Sequence, residues 1–502
     1  MSNSASSINP LAQASGSFYR VGLGAAVGQS PLLEQKIIVL AEANTDMQTE
    51  AAQNSGILDP LTSKAVAEVY GYGSLAHLTA ITLIDNLGVG VSLRYLFVPE
   101  AAGGTATSFA LTGTGATVTK TGTLVLNING KLLSVTLTLG QTLAQILTTI
   151  KTAINAEINL PCLVSTATPT TSIDIDSKWL GQSSVDLAVS VYSNSSEGIT
   201  FAEVKTAGTG QVIPTTQLAK FQNDWYPHVL NCLGNGISEA ILDAFETFNG
   251  TPAGENGKYA ADNMTPAIFY TGTHEPLLAS LTAITDTRLD SNTNCYVPVP
   301  NAQDFTCVNA ANELGMFVKK SNGDPKQDIL ADVMTLSTPP EDLNVGDIID
   351  YDFRNELVKA GCSTVNFKDG SYYAQDLITT YHPAGEVDPI FRYVRDNMIV
   401  FNLIYKFKQF NEAQKNKTIA PNALPSARIT SPSLYRAGIL NEIIRPFVEA
   451  GYIADFDYAK ENLDVGINPS NAGRFDVVSP NLITSLLRIV ANEITVNKFY
   501  TN

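Results

Sequence analysis

The 502-residue sequence has little charge, and it lacks positive charge above all. Charged residues make up 16% of the chain, whereas an ordinary soluble domain has about 25%. Lys and Arg together number 31 against 48 Asp and Glu, which gives a net charge of −17. A nucleic-acid-binding surface is usually basic because it neutralises phosphates. The charge balance therefore argues against a nucleic-acid partner for the whole chain.

The sequence also lacks long apolar runs and a basic leader. No stretch of about 18 apolar residues occurs, so we expect no membrane insertion. The first cation is Arg20, and no apolar run follows it, so the N-terminus does not have the pattern of a secretion signal. Both absences predict a protein that is made in the cytoplasm and is not exported through a signal peptide.

Cysteine and histidine are few and scattered. The four histidines and five cysteines show none of the spacings that are typical of zinc sites or redox motifs. An odd number of widely spaced cysteines also argues against a disulfide framework. We expect free or buried thiols at Cys162, Cys232, Cys295, Cys307 and Cys362.

Motifs of common enzyme classes are missing or imperfect. Neither a G-x-S-x-G nucleophile turn nor a P-loop occurs. The Gly22–Gly28 segment resembles a dinucleotide loop, but its last gap is one residue too long and it precedes the first strand instead of following it. Asp347, Asp350 and Asp352 lack the glycine and terminal glutamate of a calcium loop, so we interpret them as a solvated turn. We therefore predict no enzyme activity, catalytic residue, metal or cofactor.

Changes in composition divide the chain into five predicted parts. Residues 101–213 hold only 5 Lys and 6 Asp or Glu, and glycines separate short runs of alternating apolar residues. Around them strand-like and helix-like patterns alternate, which favours a sheet covered by helices. The predicted fold is α+β or mixed α/β, multidomain, with nested, discontinuous domains. The parts are an N-terminal extended arm (1–30), a middle mixed α/β domain (31–100 with 214–345), a β-rich inserted domain (101–213), a C-terminal domain (346–493) and a C-terminal arm (494–502).

Hydrophobic periodicity places several elements within these parts. Lys36–Ala41 and Val91–Val98 are short apolar runs that predict buried strands. Thr142 precedes a helical pattern and is its predicted N-cap. Two longer helices are predicted in the C-terminal domain, over residues 388–417 and 432–450.

The first of these two helices is basic, although the chain is acidic. Its cations are Arg392, Arg395, Lys406, Lys408, Lys415 and Lys417. Between residues 392 and 417 only Asp396 and Glu412 oppose them, so six cations and two acids give that stretch a local charge of +4. Two interpretations stay open: a solvated helix face that happens to be basic, and a docking surface for an acidic partner.

Three stretches of the sequence resemble the tail sheath subunit of contractile phage tails, in particular its Mu-like branch. The first runs from KIIVLAEA to GSLAHLTA (36–80), where a strand leads to a helix after a G-x-G-S turn. The second, GTATSFALTG to TAINA (104–156), is similar to the β-rich insertion of these sheaths. The third, from QDLITTYH to ITVNKF (375–499), looks like the C-terminal assembly domain of the family.

The resemblance implies a structural subunit that polymerises as stacked hexameric rings around an inner tail tube. Such a sheath contracts and drives the tube through the host envelope. The implied partners are neighbouring copies of the chain, the inner tail tube protein, and the baseplate and tail terminator proteins. The implied location is the phage tail of the virion, after synthesis in the host bacterial cytoplasm. The C-terminal domain would be the inner assembly domain, the insertion would face outward, and no active site is implied.

The resemblance also implies which residues make contacts between molecules. Both terminal arms would exchange strands with neighbouring subunits, through Phe18, Tyr19, Val21, Ile494, Val496 and Phe499. The basic helix would face the tube through Arg392, Arg395, Lys406, Lys408 and Lys415. The alternative function is a self-assembling surface-layer or adhesin-type structural protein. The missing secretion signal and the helix-rich C-terminal third argue against that alternative.

Overall fold

The computed structural model describes residues 32–53, 56–87, 90–234, 239–252, 254–424, 426 and 428–489. These residues form a mixed α/β structure with several sheets, which confirms the predicted fold class. In chain order their strands are β1 Lys36–Ala41, β2 Ile57–Leu58, β3 Ser92–Phe97, β4 Ser108–Thr114, β5 Gly122–Ile128, β6 Lys131–Leu137, β7 Cys162–Val164, β8 Ser172–Ser177, β9 Val189–Asn194, β10 Thr200–Thr206, β11 His228–Asn231, β12 Ile268–Thr273, β13 Asn294–Pro298, β14 Thr364–Lys368, β15 Ser371–Asp376, β16 Thr418–Ile419, β17 Ile429–Thr430, β18 Asp464–Ile467 and β19 Phe475–Val478.

The helices alternate with these strands in the middle of the chain and dominate its C-terminal third. In chain order they are α1 Gln48–Gln53, α2 Ser63–Tyr70, α3 Leu75–Asn86, α4 Leu143–Ala156, α5 Thr215–Leu218, α6 Glu239–Asn249, α7 Leu278–Thr285, α8 Thr306–Ser321, α9 Tyr351–Lys359, α10 Val394–Gln414, α11 Pro432–Ile439, α12 Arg445–Glu449 and α13 Phe456–Asn462. A π-helical turn, Leu440–Ile444, joins α11 to α12. Within the described ranges, no helix combines the length and the apolar character that crossing a bilayer requires.

The largest sheet has the strand order β13-β12-β11-β1-β3-β2. Its first five strands are parallel, and β2 pairs with β3 in the antiparallel sense. Neighbouring residues of a strand point to opposite faces. Tyr270 points towards α8, and the adjacent Phe269 stacks on Phe245 of α6 with ring centroids 4.3 Å apart. Helices therefore cover both faces, as parallel sheets require.

Two smaller sheets lie entirely within residues 101–213. One has the order β10-β4-β8-β7 and the other the order β6-β5-β9, and all their pairings are antiparallel. Helix α4 packs against them and begins at the predicted N-cap, where Thr142 and Gln145 form a capping box. The buried core runs without interruption from the large sheet into this region, for example through Trp179 and Phe305, whose rings lie 5.6 Å apart.

Both predicted strands of the large sheet are confirmed, because β1 spans Lys36–Ala41 and β3 spans Ser92–Phe97. The two C-terminal helices differ from their predictions in detail. Helix α10 begins at Val394 and not near residue 388, because Tyr393 forms an isolated antiparallel bridge with Ile378 and stays extended. The predicted 432–450 helix contains the π turn, since Pro446 has no N–H to donate to the carbonyl group of Glu442.

Gly272 of β12 offers a test of how closely α8 packs on the sheet. A Cβ atom at this position would collide with the carbonyl oxygen of Thr306, the first residue of α8. We expect Gly272→Ala to lower the free energy of unfolding by about 2–4 kcal/mol, because backbone atoms cannot yield as a flexible side chain does. Urea unfolding followed by circular dichroism measures this. Gly323→Ala is the control, since its Cβ would meet nothing within 4 Å; equal losses in both variants would contradict the expectation.

Candidate functional site

The predicted arm residues cannot be placed in the structure. Phe18, Tyr19 and Val21 precede the first described residue, and so does the glycine loop at 22–28. Ile494, Val496 and Phe499 follow the last described residue. Their strand exchange therefore stays a prediction.

Two cations of the predicted tube-facing helix are buried at its beginning. Arg392 donates from Nη1 to the carbonyl oxygen of Val387 at 2.6 Å. Arg395 donates from Nε to the carbonyl oxygen of Lys326 at 2.9 Å and from Nη2 to Thr484 Oγ1 at 3.1 Å. Both arginines thus hold segments of their own chain together.

The lysines of the same stretch lie in three different environments. Lys406 is buried, and burial lowers its pKa to about 8. Lys408 lies over the ring of Trp225, 5.1 Å from the centroid, and donates to the carbonyl oxygen of Asn263 at 2.5 Å. Lys415 is exposed and pairs with Glu412. The five predicted residues therefore do not form one exposed basic face, because other segments of the chain cover Arg392, Arg395 and Lys406.

Four titratable residues gather at one edge of the large sheet. Glu42, Glu100, His274 and Asp304 follow the carboxyl ends of β1, β3, β12 and β13. In open α/β sheets, ligands bind in the crevice outside this edge. In this protein residues 178–186 of the inserted region lie there and bond to the edge, so the crevice is filled by the chain itself.

Glu42 is the most deeply buried of the carboxylates at this junction. Ser183 donates its hydroxyl proton to Glu42 Oε2, and Trp179 Nε1 donates to Ser183 Oγ at 3.1 Å. The carboxylate of Glu100 accepts from the backbone N–H of Leu180 at 2.9 Å. The inserted segment is thus held to the ends of β1 and β3 by hydrogen bonds to two acidic side chains.

Asp186 attaches the same segment to α8. It accepts from the backbone N–H of Thr306 at 3.2 Å and from its hydroxyl group at 2.6 Å. The N-cap residue of α8, Phe305, has no side chain that can do this. A carboxylate at this place satisfies an otherwise unpaired N–H and interacts favourably with the helix dipole. The inserted region therefore supplies the cap of a helix that belongs to the surrounding domain.

The electrostatics of the junction follow from burial. Burial raises the pKa of Glu42 to about 8; the hydrogen bond from Ser183 opposes this shift, and the charge of Glu100 adds to it. Burial lowers the pKa of His274, against the pull of Asp186 and Asp304. Each of these groups faces protein atoms, so the arrangement holds two parts of the chain together.

The other side chains that could bind a metal or act as nucleophiles also have structural roles. All five cysteines are buried and free, and burial raises the pKa of the Cys162 thiol to about 12, which makes it unreactive. Asp350 of the predicted solvated turn is the N-cap of α9 and accepts from the N–H of Asp352 at 3.2 Å. In the part of the chain that the structure describes, no three His, Cys, Asp or Glu side chains are grouped as metal ligands.

The C-terminal part presents an open hairpin. Strands β18 and β19 pair only with each other among the described residues, in the antiparallel sense. Phe475 anchors the hairpin on Tyr435 of α11, with ring centroids 5.1 Å apart. The last residue of β19, Val478, is 60% exposed. Such an edge has backbone groups without strand partners and can accept a strand from another chain.

An extended segment follows the hairpin and is fastened by one arginine. Arg488 pairs with Asp328 and with Asp376, the latter at 3.1 Å, and it lies 3.8 Å from the ring centroid of Tyr393. On either side Leu487 and Ile489 are each 76% exposed. The described chain thus ends in an anchored segment with outward apolar side chains.

Comparisons with known proteins give structural neighbours only. No protein-family model and no curated protein matches the sequence. The chain is similar to the sheath tail protein of Desulfitobacterium hafniense, with a TM-score of 0.45 and 11% identity over 93% of this chain and 100% of that one. It is similar to a sheath tail protein of Listeria innocua, with a TM-score of 0.46 and 12% identity over 91% of this chain and 93% of that one.

The pKa of Glu42 predicts a pH dependence of stability. Between the unfolded value of 4.5 and about 8, the folded chain keeps a proton that the unfolded chain has lost. The contribution of Glu42 to stability is therefore complete below the unfolded pKa and is lost as the pH rises through the folded pKa. We expect Glu42→Gln to stabilise the protein by about 1–3 kcal/mol more at pH 8.5 than at pH 4.5, measured relative to wild type.

Unfolding in urea at both pH values measures the difference. Glu203→Gln is the matched control, because Glu203 is an exposed carboxylate on β10. A Glu42→Gln variant whose stability follows wild type across the whole pH range would contradict the buried, protonated state of this carboxyl group.

Proposed function

We propose that the chain is the structural subunit of a contractile tail sheath. It polymerises as stacked hexameric rings around an inner tail tube and contracts to drive the tube through the host envelope. The observation that carries the proposal is the open β18–β19 hairpin, which lies in the C-terminal part together with the anchored segment that leads to the C-terminal arm.

The hairpin supports self-assembly through strand addition. A two-stranded sheet is marginally stable by itself and gains from a third strand. The C-terminal run Ile494–Phe499 alternates apolar and polar residues, as an added edge strand does. Each backbone hydrogen bond that it forms contributes about 0.5–1.5 kcal/mol net. A strand supplied by the next copy links chains head to tail, and such a contact builds a helical polymer when the rotation does not close.

The filled crevice at the large sheet supports a structural role over an enzymatic one. Where an α/β enzyme would admit a ligand, Ser183 and Asp186 of the inserted region bond to Glu42 and Thr306. The same bonds hold the insertion and the middle domain together. Contraction would then move whole subunits against one another, with the arms as the links between them.

The remaining partners of the proposal are the inner tail tube, the baseplate and the tail terminator, and the location is the tail of the virion. Of the five predicted tube-facing cations, Lys415 is the exposed one. We therefore propose Lys415 as the contact of α10 with an acidic tube, while Arg392, Arg395 and Lys406 have positions inside the subunit.

Removal of the N-terminal arm tests the assembly. We expect the purified wild-type chain to form hollow tubes in negative-stain micrographs. Deletion of residues 2–29 should abolish the tubes and leave the circular dichroism spectrum and unfolding temperature of the monomer nearly unchanged, because the contacts of the arm lie on other chains. Flat lattices of the wild type would favour a surface-layer protein, and an unfolded deletion variant would make the arm an internal element.

A proline pair tests strand addition by the C-terminal arm. Thr495→Pro with Val496→Pro removes two successive N–H groups, which point to opposite sides of a strand. We expect this variant to remain a folded monomer that forms no tubes. Thr495→Ser with Val496→Thr keeps both N–H groups and should still polymerise. Tubes formed by the proline variant would rule out backbone pairing as the linkage.

A further inference from the structure

The last described segment of the chain, residues 485–489, is held in place by the polar contacts of one side chain. Just before it, the N–H of Thr484 donates to the carbonyl oxygen of Tyr452 at 3.0 Å. Residues 485–489 themselves form no backbone hydrogen bond with any described residue. Four of the five are exposed, and the exception is Arg488. The position of this segment therefore depends on what Arg488 binds.

Arg488 binds two carboxylates and an aromatic ring. Its Nη1 donates to Asp376 Oδ1 at 3.1 Å, and its Nη2 pairs with Asp328 Oδ2. The guanidinium lies 3.8 Å from the ring centroid of Tyr393, within the range of a cation–π interaction. The side chain of Arg488 is 11% exposed, so water and salt screen these contacts only weakly. Asp328 follows α8, Asp376 ends β15 and Tyr393 precedes α10, so one side chain joins three elements to the segment.

A third acidic residue lies behind this pair of carboxylates. Glu313 of α8 is fully buried, and neither of its carboxyl oxygens has a hydrogen-bond donor among the described residues. Burial raises the pKa of Glu313 to about 8, and the charges of Asp328 and Asp376 add to this shift. Burial also raises the pKa of Asp376; Arg488 opposes that shift and Asp328 adds to it. Near pH 7 one guanidinium thus balances two aspartates, while Glu313 keeps its proton.

Other charged groups face this cluster from the neighbouring elements. Asp388 precedes α10, and Asp396 lies within it; burial raises the pKa of Asp396 to about 6, although Arg395 opposes the shift. The cations around the cluster are bound elsewhere: Lys320 by Asp332 at 2.5 Å, Lys326 by Asp324 at 3.5 Å, Arg395 by Asp396 at 2.5 Å, and Arg392 by the carbonyl oxygen of Val387. They therefore do not take the place of Arg488.

The contacts of Arg488 respond to pH in one direction. An arginine side chain keeps its charge in proteins, whereas carboxylates lose theirs in acid. Protonation of Asp328 and Asp376 leaves Arg488 as a shielded cation without a counter-charge, which is strongly unfavourable. Hydration of the guanidinium removes this penalty, and it requires that the segment leave the surface.

We propose that residues 485–489 are a strap that Arg488 closes over Asp328 and Asp376, and that protonation of these carboxylates opens it. With the strap open, Thr484 replaces Arg488 as the last fixed residue. The free C-terminal chain is then longer by about 14 Å when it is extended. In the proposed sheath the strap would thus set the reach of the C-terminal arm. That consequence rests on the proposed function, whereas the strap itself is a property of the single subunit.

A spin label on the strap tests the proposal in the full-length chain. Leu487→Cys places the label at a position that is 76% exposed. The five native cysteines are buried, so the wild-type chain serves as the labelling blank. Electron paramagnetic resonance of the soluble fraction gives the ratio of slow to fast label. We expect mostly slow label at about pH 7.5 and a ratio about tenfold lower at about pH 4, because hydrogen bonds between charged groups are lost.

Substitutions at about pH 7.5 separate the strap from general effects of acid. Arg488→Met keeps an apolar stem without the charge, and Asp328→Asn with Asp376→Asn imitates protonation. In the Leu487→Cys chain each change should lower the ratio of slow to fast label about tenfold. Arg474→Met is the matched control, because Arg474 is exposed and pairs with Asp476 in the hairpin. Its loss should leave the label slow.

Three results would overturn the proposal. Slow label in the Arg488→Met variant would show that Arg488 does not close the strap. Slow label in the double Asp→Asn variant would show that these carboxylates do not control it, whatever acid does to Asp396. A label at Val478→Cys, on the exposed end of β19, should not change between about pH 7.5 and about pH 4. If it becomes fast together with the strap label, acid loosens the whole C-terminal part and does not open a strap.

The same measurements keep the strap separate from the sheath function. They are made on soluble subunits, so they do not require assembly. A chain that forms no tubes but shows the expected label ratios would refute the sheath function and leave the strap. A chain that forms tubes but keeps a slow label in both variants would refute the strap and leave the sheath function.

Discussion

The bond between Asp186 and the start of α8 is the constraint on which the middle of the molecule depends. Helix α8 packs on β11, β12 and α3, and its first residue lies against the backbone of Gly272. Its own N-cap residue, Phe305, has no capping side chain. Because the acceptor for Thr306 comes from the inserted region, the helix and the insertion are fixed by one carboxylate. The inserted region is thus joined to a helix that packs on the large sheet. This bond connects the inserted sheets to the large sheet.

The cost of this arrangement is seen in the buried carboxyl groups behind it. Glu42 is kept from water by the segment that it binds, and its pKa rises to about 8 for that reason. A neutral carboxyl group still accepts the hydrogen bond from Ser183 without the desolvation penalty of a charge. The Glu42 carboxyl group is consequently protonated near pH 7, which suits its position among protein atoms.

The sequence allowed local elements to be predicted better than their surroundings. Strand β1 and the capping box at Thr142 depend on residues next to each other in the chain, so their patterns sufficed. The surroundings of the basic helix could not be predicted in this way. Arg395 contacts Lys326 and Thr484, which are distant from it in sequence. For the same reason the junction was missed: no local pattern links Asp186 to Thr306. The one local signal of the junction in the sequence was Glu42, an acidic residue directly after the apolar run that forms β1.

The crevice of the large sheet and the surface of the C-terminal part differ in how far the described chain itself covers them. Around the large sheet the polar edge groups meet partners in the inserted region, and its crevice is filled. In the C-terminal part a hairpin keeps free edges, an open groove between α10 and α12 keeps an apolar floor, and Leu487 and Ile489 point outward from the segment that Arg488 holds. Unsatisfied backbone edges and open apolar grooves are unfavourable in a monomer unless another chain covers them. In the described residues the hairpin edge and the apolar groove of the C-terminal part are two such surfaces.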